Sequence, residues 1–148
     1  MSLFYSRKSK QQLLGYVDAR YISDPHKCRS QTGYVFNYNG TGISWRSVKQ
    51  TIVATSSNHS GTLAIHEASH ECIWLRSMIQ YIRESCGLSS IKGDLTILFE
   101  DNAACIAQIT GGYIKGDRTQ HISSNSFIHM NSRRVVKLMC NKYAQVII

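Results

Sequence analysis

Apolar residues recur at three- and four-residue spacing through Ala64, Ala68, Cys72, Leu75, Ile79 and Ile82. That spacing predicts one long helix with a single apolar stripe. Ser56 or Ser57 can cap its start, and Cys86-Gly87 closes it with a glycine just past the last turn. Ahead of the helix the pattern is extended. Leu13 to Ala19 reads as a first strand, and Ser23-Asp24-Pro25-His26 as a turn. Thr32 to Phe36 and Gly42 to Trp45 flank Tyr38-Asn39-Gly40, a strong hairpin signal. Thr51 to Thr55 is short and extended. After the helix come a buried strand over Leu95 to Phe99 and a short helix over Asn102 to Ile109, stopped by Gly111-Gly112. A basic loop over 113–121, a further helical turn within 122–131 and a last strand over Val135 to Met139 complete the reading. Asn141 to Ile148 begins an element the chain does not finish. The order is α/β with a hairpin at one side of the sheet.

Composition narrows the class. A chain of 148 residues with 43% hydrophobic content and one proline fits a single folded domain. Residues 1–12 are a loose basic lead-in, and 13–148 form the domain. Seventeen Lys and Arg against nine Asp and Glu give a net charge of +8, which favours an anionic partner, nucleic acid first and an acidic membrane surface second. The five cysteines are odd in number and form no C-x-x-C pair. They fit a reduced intracellular protein, cytoplasmic or nuclear, with Cys72 and Cys105 as core residues. The N-terminus has no apolar leader segment, and no apolar run is long enough to span a membrane.

Candidate chemistry starts from two aspartates. Asp18 lies at the end of the first apolar strand and Asp101 directly after the Leu98-Phe99-Glu100 strand. Two carboxylates on the ends of neighbouring strands, beside the start of a helix, are the makings of a divalent-metal site for phosphodiester chemistry. Gly61 occupies the helix start where a third carboxylate would belong. Glu100 adjoins Asp101, but strand alternation points it the other way, so it reads as an edge or surface acid.

These segments are collinear with a known pattern. Gly15-Tyr16-Val17-Asp18-Ala19, Ser30 to Phe36, Ile43 to Gln50, Ala54-Thr55-Ser56-Ser57, Glu67 to Arg76, Asp101-Asn102-Ala103-Ala104 and Arg118 to Ile122 occur in order. The series resembles the ribonuclease H domain at the end of copia-type retrotransposon Pol polyproteins, closely over residues 13–122 and poorly thereafter. The resemblance implies a ribonuclease H-like fold, a mixed sheet of about five strands with flanking helices. It implies cleavage of the RNA strand of RNA–DNA hybrids with Mg²⁺ (or Mn²⁺). The implied partners are a hybrid or other nucleic acid and the reverse transcriptase and integrase of the same polyprotein, with no membrane. By position, Asp18 and Asp101 match two metal ligands. The glutamate position falls on Gly61 and the last aspartate position on Gln145, so two of four acids are replaced and metal affinity is expected to fall. The chain stops before the family's usual ending. The expectation is a degenerate copy with weak or no activity, in which Glu100 or solvent could stand in for lost ligands. The alternative is a non-catalytic nucleic-acid-binding remnant. Gly61→Glu is expected to raise both stability and Mg²⁺ affinity.

Other signals carry competing readings. Lys115, Arg118 and His121 form a basic loop, either touching a nucleic-acid backbone or simply solvated, with His121 a further catalytic candidate. Arg46 and Lys49 are candidate phosphate contacts. Trp45 is expected in the core, and Trp74 beside the long helix. His66-Glu67-Ala68-Ser69-His70 is an H-E-x-x-H on a helix, the pattern of a zinc peptidase. The core stripe places both histidines on the outer face, away from any expected cleft and without a convincing third ligand. Zinc binding by His59, His66 and His70 remains an open reading.

Overall fold

The computed structural model describes residues 12–89, 96–111, 137–141 and 143–147, with 110, 111 and the last two strands described by backbone alone. Three long strands come first: β1 (Leu13–Asp24), β2 (Arg29–Tyr38) and β3 (Thr41–Lys49). The helix α1 (Ser57–Ser85) follows, then β4 (Ile97–Glu100), α2 (Ala103–Gly111), β5 (Lys137–Asn141) and β6 (Tyr143–Ile147). Among the described residues the strands form one six-stranded sheet in the order β3-β2-β1-β4-β6-β5. β1 runs parallel to β4, and the other neighbours are antiparallel. The fold is therefore α/β with a mixed sheet. The element that the sequence leaves open after Asn141 is the strand β6.

Local chemistry explains the boundaries. Asn39 and Gly40 both take positive φ, +54° and +78°, the conformation a two-residue hairpin turn needs between Tyr38 and Thr41. Ser56 caps α1, its Oγ accepting the His59 N–H at 3.1 Å. At the other end Gly87 adopts φ +67°, and the Leu88 N–H returns to the Arg83 carbonyl at 2.9 Å. Residues 51–55 form no strand and run as an irregular lead into the helix.

β1 alternates cleanly, with Leu13 and Val17 buried and Tyr16 and Asp18 exposed. The buried set meets Tyr34, Phe36 and Leu98 from the sheet and Ala64, Ile65, Ala68, Cys72 and Leu75 from α1. Gly15 has no room for a side chain: a Cβ there would overlap Leu98 Cδ2 and stand 2.6 Å from Phe36 Cε1. Fully buried Phe36, Ile65 and Leu98 each contribute about 1.5–3 kcal/mol. Among the described residues, no helix is long and apolar enough to cross a membrane.

Two expectations about the core are corrected. Trp45 is 68% exposed, because it pairs with Val35 and shares its outward face, while Tyr34 and Phe36 take the inward positions of that strand. Ile82 is 52% exposed and Trp74 54%. Among the described residues, the apolar part of the α1 core ends at Leu75 and partly buried Ile79, and the distal turns leave Trp74, Met78 and Ile82 exposed.

Candidate functional site

The parallel pairing of β1 with β4 sets the site. Val17 lies level with Glu100, so Asp18 and Asp101 each follow the paired ends by one residue. Both are exposed. Asp18 belongs by alternation to the face shared with Tyr16, which stacks on Phe99 with ring centroids 5.0 Å apart. Asp101 occupies the bend between β4 and α2.

Glu100 is not a surface acid. It is 2% exposed, on the same side of β4 as Leu98. One carboxyl oxygen accepts the Asn102 N–H at 3.3 Å, and the other is buried without a hydrogen-bond partner. Burial pushes its pKa up to about 8; the Asn102 N–H opposes that shift, and the charges of Asp101 and Asp18 add to it. The signal was present in the sequence: Leu98 and Glu100 are two residues apart on one strand, hence on one face.

Gly61 lies in the first turn of α1, buried. A Cβ built on it would stand 3.1 Å from Cys105 Sγ and 3.8 Å from Asn102 Nδ2. The position therefore faces the start of α2, where Asn102 Oδ1 caps the Cys105 N–H at 3.0 Å. Packing sets a condition on the expectation that Gly61→Glu stabilises: the Cys105 thiol must give by a few tenths of an ångström to admit a Cβ. Gln50 was not anticipated. Buried, it donates to Thr32 Oγ1 at 3.0 Å and to the Ser60 carbonyl at 2.9 Å, locking the first turn of α1 to β2.

The basic candidates are differently engaged. Lys49 Nζ lies 2.6 Å from Asp24 Oδ2, and this partner holds the Asp24 carboxyl below its usual range. Arg46 lies opposite Tyr34 in the β2–β3 ladder. Gln145 lies in β6 opposite Phe99, a backbone position inside the sheet. Lys115, Arg118 and His121 lie outside the described residues.

For a metal, the donor chemistry fits: carboxylate oxygens are what Mg²⁺ takes, and Glu100 carries an orphaned buried one. The number of donors is small. Among the described residues, no three His, Cys, Asp or Glu side chains converge as a metal-holding group.

Comparisons place half of the chain. Over 73 residues, 49% of this chain and 51% of the relative, it is 42% identical to secreted RxLR effector protein 161 of Plasmopara viticola. Over 68 residues, 46% of this chain and 5% of the relative, it is 40% identical to the retrovirus-related Pol polyprotein from transposon TNT 1-94 of Nicotiana tabacum. The chain thus spans about half of one relative and a small part of the other. No family model and no solved structure matches it. Over 68 residues, then, the chain is similar to retrotransposon Pol sequence.

Proposed function

We propose that this chain is a ribonuclease H-like segment of a retrotransposon Pol polyprotein, one that holds RNA–DNA hybrid while its metal-dependent cleavage is weak. The observation that carries the reading is the parallel β1–β4 pair, which sets Asp18 and Asp101 one residue beyond the level of Val17 and Glu100. The similarity to a Pol polyprotein and the +8 charge support it. Asp18 and Asp101 would hold Mg²⁺ or Mn²⁺, with Glu100 the buried carboxyl beside Asp101 that would replace what Gly61 lacks. A bound dication would supply charge neutralisation at the scissile phosphate and an acidified water. The residues' own part is to bind the ion and position the backbone. With Gly61 and Gln145 at two of the four acid positions, charge neutralisation is incomplete and turnover falls.

The test is a paired measurement on labelled hybrid. Binding should be retained and weaken with salt, while cleavage with Mg²⁺ or Mn²⁺ should be slow and disappear in Asp101→Asn. Absence of hybrid binding at low ionic strength would overturn the reading. Robust cleavage unaffected by Asp101→Asn would overturn the assignment of the site.

A further inference from the structure

Two imidazoles, a side-chain type that ligates metals, lie side by side on α1, outside this site. His66 and His70 occupy i and i+4 on the exposed side of the helix, and their Nε2 atoms share a hydrogen bond of 3.3 Å, with either ring donating according to its tautomer, so a cation would take the place of the shared proton. The rings are tilted by 59° with centroids 4.6 Å apart, so the two nitrogens converge without the rings stacking. Two nitrogens on one tetrahedral zinc, at Zn–N bonds of about 2.0–2.1 Å, would be separated by roughly 3.3–3.4 Å. The observed gap is that edge of a tetrahedron.

We infer that His66 and His70 form a two-histidine chelate for a Zn²⁺-class cation, with solvent completing the coordination. Both side chains are on the outer face of α1, and the helix backbone fixes their spacing before the metal arrives. Imidazole nitrogens suit Zn²⁺ and are poor ligands for Mg²⁺, so this site and the carboxylate site select different ions.

The same geometry argues against peptide hydrolysis. Residues one apart on a helix do not face each other. Glu67 lies on the side facing β2, where its charge acts on Tyr34 and one carboxyl oxygen is buried without a hydrogen-bond partner. It cannot serve as base to a metal held on the outer face. His59 is not part of the chelate: its Nδ1 accepts the Thr55 N–H at 3.2 Å, and among the described residues no third ligand joins the pair.

The test is titration of the whole chain with Zn²⁺ alone by calorimetry, in a background with the exposed Cys28 and Cys86, and also Cys140, changed to Ser so that these thiols do not contribute. One ion per chain is expected. His66→Ala and His70→Ala should each weaken binding at least tenfold, and the double variant should be no weaker than either single one, because a chelate is lost with its first arm. His59→Ala should leave affinity unchanged. Zn²⁺ should also raise the melting temperature of the parent and not of the single variants, a readout independent of any catalysis. Equal Zn²⁺ affinity in the parent and both single variants would overturn the inference. So would loss of binding only on replacing His59. Circular dichroism on each variant separates lost binding from lost folding, and the exposed positions of both histidines predict native spectra.

Discussion

Gly61 and Cys105 share one packing site: a Cβ on the glycine would lie 3.1 Å from the cysteine Sγ and 3.4 Å from its Cβ. Glycine at a helix start otherwise costs about 1 kcal/mol relative to alanine, and a glutamate there gains about 0.3–1 kcal/mol from the helix dipole. Overpacking costs about 1–3 kcal/mol and outweighs both. Gly61→Glu alone should therefore lower stability in urea denaturation. Gly61→Glu with Cys105→Ala removes the Sγ contact and should recover most of the loss. The double variant should bind Mg²⁺ more tightly than the parent by calorimetry. Identical Mg²⁺ affinity would remove position 61 from the metal site.

Glu100 makes stability depend on pH. In the unfolded chain the carboxyl ionises near 4.5, whereas in the fold it keeps its proton to about 8. The folded state then binds more protons than the unfolded one across that window. The contribution is greatest below about pH 4.5, declines as pH rises and levels off above about pH 8. Glu100→Gln keeps the oxygen that accepts from Asn102 and cannot ionise. It should flatten the decline and stabilise the protein at pH 8 by on the order of 2–4 kcal/mol. Denaturation midpoints of parent and variant from pH 5 to pH 9 check this, and parallel curves would show that Glu100 ionises normally.

Arg83 anchors the far end of α1. It is 8% exposed, and its guanidinium donates to the Ser89 carbonyl at 2.8 Å, to Ser89 Oγ at 3.2 Å and to Tyr38 Oη at 3.5 Å. Arg83→Ala should cost about 2–3 kcal/mol, because it removes several hydrogen bonds to a charged, buried group. Arg83→Lys should recover only part, since an ammonium cannot reproduce the fork. Thermal melts of the two variants give the comparison.

On the proposed reading, Asp24 would compete with a nucleic-acid phosphate for Lys49. Their 2.6 Å ion pair neutralises a cation that would otherwise meet a phosphate. Asp24→Asn should tighten hybrid binding and steepen its logarithmic salt dependence by about 0.9, the effect of one added phosphate contact. Lys49→Ala should leave binding close to that of the parent. Filter binding between low and moderate salt measures both, and a large loss in Lys49→Ala would show that the lysine already leaves Asp24 to meet phosphate.

Periodicity and turn chemistry alone determined most of the elements. The Asn39-Gly40 hairpin, the Ser56 cap, the glycine stop at Gly87 and the stripe from Ala64 to Leu75 are local features. Each depends on backbone conformations or side-chain spacings that a few neighbouring residues impose. Asp101 was legible as the acid that follows a short apolar run, whereas Asp18, read as a strand end, lies inside β1 opposite Gly33, because pairing with β2 carries that strand on to Asp24. Only the tertiary structure decided what each side chain meets. Trp45 looked like core because it is large and apolar, yet strand pairing gave the inward positions to Tyr34 and Phe36. Glu100 looked like a surface acid because it is charged, yet it shares the face of Leu98 and is buried with a proton-retaining carboxyl. Gly61 marked an absent ligand in the sequence, but Cys105, 44 positions further along the chain, determines whether one can be put back. Such outcomes depend on which strands pair and which helices touch. Those contacts join residues distant in sequence, and no local pattern records them.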